Sequence, residues 1–135
     1  MDGSAGDEAE ELMRELWRRI DRRAFADAGA LLAEDARVVW PASAETLTRE
    51  QWVRANAEYG GDWAASVERV VAAGSQVAGA FRVFARDNPG EAFYAVSFAT
   101  VESGRIRSLV EYWSDVAPDA PAAQARVRAG LSSRA

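Results

Sequence analysis

From residue 63 to residue 115 the sequence runs through four long segments of β-type alternation, separated only by short reversals. No other feature limits the possible folds so strongly. The segments span 63–73, 77–86, 91–102 and 105–115, and the reversals are Gly74-Ser75, Asp87-Asn88-Pro89-Gly90 and Ser103-Gly104. Such residues tolerate the backbone angles of tight turns, so the pattern predicts an antiparallel meander. Strands of ten or more residues exceed the usual five or six, which predicts a sheet that twists, curls and carries bulges. In Phe93-Tyr94-Ala95-Val96-Ser97-Phe98 both alternating sets are apolar, so both sheet faces need a cover. Helices can cover one face; a second subunit is the economical cover for the other.

Ahead of the meander the period becomes helical. A first helix is predicted over 7–20, with Leu12, Leu16 and Ile20 on one stripe and Met13 and Trp17 beside it. Asp21 is placed to cap a second helix whose Phe25, Ala28, Leu31 and Leu32 look inward. Residues 36–40 read as a short strand stopped by Pro41. Thr48-Arg49-Glu50-Gln51 has capping-box spacing and opens a third helix, with Trp52, Ala55, Asn56 and Tyr59 on one face and Gly60-Gly61 at its end. Three N-terminal helices followed by a curled, mostly antiparallel sheet define an α+β fold with the helices in the concave face. A pocket is expected where the two layers fail to close. Residues 1–116 are expected to form one domain. Residues 117–135, rich in Ala, Pro, Arg and Ser, read as a partly disordered extension. There is no internal repeat.

Composition restricts the chemistry. The 135 residues contain no Cys and no His, and all 16 basic residues are Arg. Thiolate nucleophiles, disulfides and Cys-type zinc sites are thereby excluded. So are imidazole bases and Ser-His-Asp triads. The lack of Lys removes Schiff-base and pyridoxal-phosphate chemistry. Any acid–base group must be Asp, Glu or Tyr, with Arg as an electrostatic partner; neither cofactor nor metal is expected. A net charge of −5 argues against broad attraction to nucleic acid or anionic membranes. No apolar run approaches the ~18 residues of a membrane span. The acidic start Met1-Asp2-Gly3-Ser4 is the opposite of a signal peptide, so a soluble cytoplasmic protein is expected.

Within 105–115, Leu109, Glu111 and Trp113 share one strand face. A carboxylate between two large apolar side chains fits a plain core poorly, because an unpaired buried charge is costly. Three placements are open for Glu111: an acid or base at a cavity wall, with its pKa raised by apolar neighbours; an ion pair with Arg82 across the sheet; or exposure beyond a pocket rim. Arg82 shares parity with Ala80, Phe84 and Arg86, and can either face the cavity, to stabilise a developing oxyanion, or neutralise Glu111.

The chain resembles the nuclear transport factor 2-like superfamily, in its SnoaL-like branch. The resemblance spans roughly residues 12–116. It rests on Leu31-Leu32-Ala33-Glu34-Asp35-Ala36, Val39-Trp40-Pro41, Asn56-x-x-Tyr59-Gly60-Gly61-x-Trp63 and Gly104-Arg105-Ile106…Glu111-Tyr112-Trp113. It implies a cone with a deep apolar pocket, often dimeric, in a group holding ketosteroid isomerases, polyketide cyclases, limonene epoxide hydrolases, scytalone dehydratases and non-catalytic binding domains. Fold alone does not select among these. The epoxide hydrolases' Arg-x-Asp pair corresponds here to Arg82-Val83-Phe84, with Phe in place of Asp. Their last-strand Asp matches Glu111, and its neighbouring Arg is Val110. The cyclases and scytalone dehydratases rely on a His that this chain lacks.

The candidate catalytic residues are therefore Glu111 and Arg82. The candidate ligand-binding residues are Trp40, Trp52, Asn56, Tyr59, Trp63, Phe84, Leu109 and Trp113. For Asn56 and Tyr59, orientation of a ligand oxygen stands beside simple backbone bonding and packing; for the tryptophans, a cavity lining stands beside a core role. Three functions remain open. One is a cofactor-independent isomerase, cyclase or hydratase acting on a small apolar or aromatic molecule. The others are a binding module without chemistry and a homodimeric scaffold.

Overall fold

The computed structural model describes residues 3–115 and Ala129, so the expected extension over 117–135 lies otherwise outside the described residues. The elements are α1 (Gly3–Asp21), α2 (Phe25–Gly29), β1 (Leu32–Trp40), a 3-10 turn (Pro41–Ser43), β2 (Glu45–Thr48), α3 (Arg49–Glu58), β3 (Trp63–Ala73), β4 (Gln76–Ala85), β5 (Asn88–Glu102) and β6 (Arg105–Asp115). Six strands form one sheet in the order β2-β1-β6-β5-β4-β3. Every pairing is antiparallel except β1 with β6. This is the expected α+β arrangement.

The meander forms with the predicted bounds for β3 and β6. The second reversal contracts: Ala85 pairs with Asn88, so the chain turns at Arg86-Asp87 and β5 starts inside the segment read as a loop. Pro89 is tolerated there, and its carbonyl accepts a bond from Arg82 Nη2 at 2.7 Å. The expected bulges interrupt the register between Val67 and Arg69, Phe84 and Ala85, and Thr100 and Val101.

Two differences lie ahead of the meander. Asp21 does not cap α2: its Oδ1 accepts the Ala65 amide at 2.8 Å, and Ala24 occupies the cap position without a side-chain bond. Uncapped, α2 lasts five residues, and Leu32 opens a strand instead of closing a helix. The strand β2, too short to show alternation, pairs Thr46 with Val39 and brings the chain into α3. There Thr48 accepts the Gln51 amide at 3.1 Å while Gln51 accepts the Thr48 amide at 2.9 Å, the predicted capping box.

The helices cover one face of the sheet. Ala9, Met13, Leu16 and Trp17 form the buried stripe of α1, meeting Phe81, Ala95, Ala99 and Leu109 of the sheet. Trp17 stacks on Phe81, with centroids 4.0 Å apart and planes 11° from parallel. Phe81 lies so close over Gly79 that a Cβ there would stand 2.5 Å from its Cζ. On the uncovered face, Val39, Val110, Phe98, Ala78 and Val71 form one cross-strand row. Tyr94 and Tyr112 flank it, and these two aromatics, Phe98 and Val71 are exposed. Among the described residues no helix is long and apolar enough to cross a membrane.

Candidate functional site

Glu111 lies on the helix-covered face and is 1% exposed. Four elements meet at its carboxyl. The parallel register of β1 on β6, with Val39 beside Val110, brings the end of β1 level with it. From there Trp40 Nε1 donates to Oε1 at 3.0 Å. Trp52, in the turn of α3 that follows the capping box, donates its Nε1 to the same oxygen at 3.1 Å. Ser97, directly opposite on β5, has its Oγ 3.0 Å from Oε2. Burial raises the Glu111 pKa above its ordinary value, and the Trp40, Trp52 and Ser97 bonds oppose that rise. All three partners are neutral, so the carboxyl is a buried group poised towards its acid form.

The expected partnership of Arg82 with Glu111 is therefore corrected. Arg82 lies in the row of Tyr94 and Ser114, whereas Glu111 pairs with Ser97, three residues further along β5 and on the other face. The Arg82 guanidinium lies 5.2 Å from the Phe84 ring and bonds Pro89. Phe84 shares that outer face and cannot line the same pocket. Leu109 is on the inner face but is wholly buried in the core.

The other candidates gather around two cavities. The inner one, about 70 Å³, has walls from Trp17, Trp52, Trp63, Phe93, Trp113 and Glu111. An outer groove of about 540 Å³ is bordered by Trp40, Ser43, Glu45 and Asp115. Asn56, Tyr59, Phe93 and Trp113 line both. Asn56 Nδ2 bonds the Trp52 carbonyl at 2.8 Å, and Tyr59 is 57% exposed at the mouth. Trp63 donates to the Gly60 carbonyl at 2.8 Å. It packs against Phe93 at 5.5 Å, and Phe93 meets Trp113 edge-on at 6.4 Å. The result is an apolar chamber with few polar groups, the usual make-up of a small-molecule site. Among the described residues no three acidic side chains converge to hold a metal ion.

Sequence reasoning missed Phe93 and Ser97, whereas Trp17, weighed with the other tryptophans as a cavity lining, does line the inner cavity. Phe93 and Ser97 had a usable signal, since both sit on β5 at the parity of Ala95.

Comparison with known proteins gives a consistent picture. Residues 13–109 match the family model of the SnoaL-like domain. No curated protein matches the sequence. Among solved structures, a candidate ketosteroid isomerase from Kribbella flavida DSM 17836 is 30% identical, covering 83% of this chain and 82% of its own, with a TM-score of 0.74. A candidate SnoaL-like polyketide cyclase from Jannaschia sp. CCS1 is 15% identical over 84% of this chain and 90% of its own, at 0.71. An epoxide hydrolase of the LEH-like type from M. tuberculosis is 15% identical over 81% and 84%, at 0.66.

Proposed function

The chain belongs to the SnoaL-like domain family, and from that premise we propose that it takes a small apolar or aromatic molecule into the outer groove, with the reacting end reaching the Glu111 chamber, and moves a proton on it. The reaction class is isomerisation, cyclisation or hydration without a cofactor. One observation carries this reading: a carboxyl shut away from solvent, held by two indole N–H groups and a serine, forms part of an aromatic cavity wall. Burial favours the protonated form, so Glu111 is assigned as general acid, delivering its proton from Oε2 while Oε1 stays anchored by the indoles. The test is turnover of a panel of small aromatic ketones, enones and epoxides by wild type and by Glu111→Gln. Loss of turnover with retained affinity supports the assignment; full activity in the variant ends it.

A second reading, ligand binding without chemistry, draws on the saturation of the carboxyl. Three donors occupy most of its four acceptor positions, as in a structural group. A ligand recovered unchanged after long incubation selects this reading. In either case we propose a homodimer through the uncovered sheet face, where the row from Val39 to Val71 leaves Phe98 and its aromatic neighbours in water. A monomer at high protein concentration in sedimentation refutes it.

A further inference from the structure

We infer that the ligand of this site carries a positive charge, a quaternary or protonated ammonium group held in the outer groove against its aromatic rings. The inference deepens the two pocket readings above and rests on the pocket they share. Trp40, Tyr59, Phe93 and Trp113 line this groove of about 540 Å³, which is far roomier than the inner chamber. Trp40 meets Trp113 with centroids 5.1 Å apart and planes at 64°, and Trp113 meets Phe93 at 88°. Crossed in this way, the rings do not cover one another face to face. Tyr59 is exposed and the other three are half-buried, so all four keep contact with solvent. The face of an aromatic ring is its negative side, and it attracts a cation most strongly once the cation has shed water.

Charge on the groove wall has one sign. Its charged residues are Glu45 and Asp115, and among the described residues neither has an arginine partner. Elsewhere Glu15, Asp21, Asp35 and Glu58 each have one. Asn56 adds another acceptor: its Nδ2 is committed to the Trp52 carbonyl, which leaves Oδ1 without a partner among the described residues. Arg23 is the one basic residue on the inner wall, with its guanidinium 5.3 Å from the Phe25 ring. It does not border the groove, and from the inner side it repels a cation. The charged end of a ligand is thus kept outward and its uncharged end is turned to Glu111. An anion would meet like charge in the groove. A wholly apolar group would take water from two carboxylates and return nothing.

(4-Hydroxyphenyl)trimethylammonium and 4-tert-butylphenol make a matched test, since they have nearly the same shape and differ in N⁺ against C at one atom. Calorimetric titration of the full chain, in mildly acidic buffer where both phenols stay protonated, should find the cation bound about tenfold more tightly. Added salt should narrow that margin, because exposed carboxylates are screened. In a double variant, Glu45→Gln with Asp115→Asn, both at exposed positions, the margin should shrink about threefold. The affinity for 4-tert-butylphenol should stay within about twofold there. Equal affinity for the two probes in wild type, or tighter binding of the uncharged one, overturns this inference whether or not the variant folds. A margin unchanged in a folded double variant also overturns it, since the cation then sits outside this groove; in both cases the pocket reading survives. If neither probe binds, both readings fall.

Discussion

Replacing Glu111 separates two contributions that the structure combines at one carboxyl: the three bonds it accepts and the cost of its charge. In Glu111→Gln the side-chain oxygen can still accept both indoles, and the amide can donate to Ser97, whose hydroxyl turns to accept. In Glu111→Leu the donors of Trp52 and Ser97, both buried, lose their acceptor, while partly exposed Trp40 can reach water. At about 1–3 kcal/mol for each buried unpaired donor, leucine should cost about 2–6 kcal/mol, a large part of the ~5–15 kcal/mol that holds a domain together. The charge acts through pH. Burial raises the folded pKa of Glu111 above its ordinary 4.5, so over a window beginning there the native state keeps a proton that the unfolded chain has released. The stabilisation from that proton is complete below the unfolded pKa and is lost as pH rises through the folded one. Within the window, wild type should lose ~1.4 kcal/mol per pH unit relative to Glu111→Gln. Urea unfolding at pH 4.5, 6 and 8, followed by tryptophan fluorescence, measures both effects. A wild-type minus Gln difference that is flat across this range refutes the raised pKa. Leucine and glutamine variants of equal stability at pH 4.5 refute the bonds.

Other substitutions probe the walls. Gly79→Ala places a Cβ 2.5 Å from Phe81 Cζ, deep in the core, and should cost about 1–3 kcal/mol and loosen the Trp17 stack; a melting temperature unchanged from wild type contradicts the packing. Gly61 has φ +98°, and a Cβ there would stand 2.6 Å from Trp63 Nε1. Gly61→Ala should therefore cost about 1–3 kcal/mol and break the Trp63 bond to Gly60, read as a shift of one indole NMR signal. Phe98→Glu, at a side chain 48% exposed on the uncovered face, should leave the fold intact and turn a sedimenting dimer into a monomer. An unchanged dimer in that variant places the interface elsewhere.

The parts of the fold written in local pattern were legible. The alternation of β3 and β6 and the capping box at Thr48 each depend on neighbours in sequence, and each formed; α1 also formed, but its buried stripe runs through Ala9, Met13, Leu16 and Trp17, with Leu12 and Ile20 only partly buried. Register was harder. The Ser103-Gly104 turn pairs Glu102 with Arg105, and an uninterrupted ladder would put Val96 opposite Glu111. The bulge between Thr100 and Val101 advances one strand by a residue and brings Ser97 there instead. Arg82 failed for a related reason. Its parity with Phe84 was visible, but both parities of β4 carry an aromatic, and only packing of α1 on Phe81 decides which one faces inward. The Glu111 chamber was legible because a charge on an apolar strand face must be resolved somehow. That indoles would resolve it, and not a guanidinium, depended on the parallel seating of β1 along β6.

That seating also orders the folding of the protein. β6 is the last of the described strands along the chain, yet it lies in mid-sheet, with β1 on one flank and β5 on the other. On a growing polypeptide, β3, β4 and β5 can zip together as hairpins soon after leaving the ribosome. The stretch 32–48 must wait for a neighbour made more than fifty residues later, a long-range closure of the kind that slows folding. Until residue 115 has emerged, the two halves of the sheet stay unjoined, and the acidic group and the indoles that hold it first meet in the same closing step.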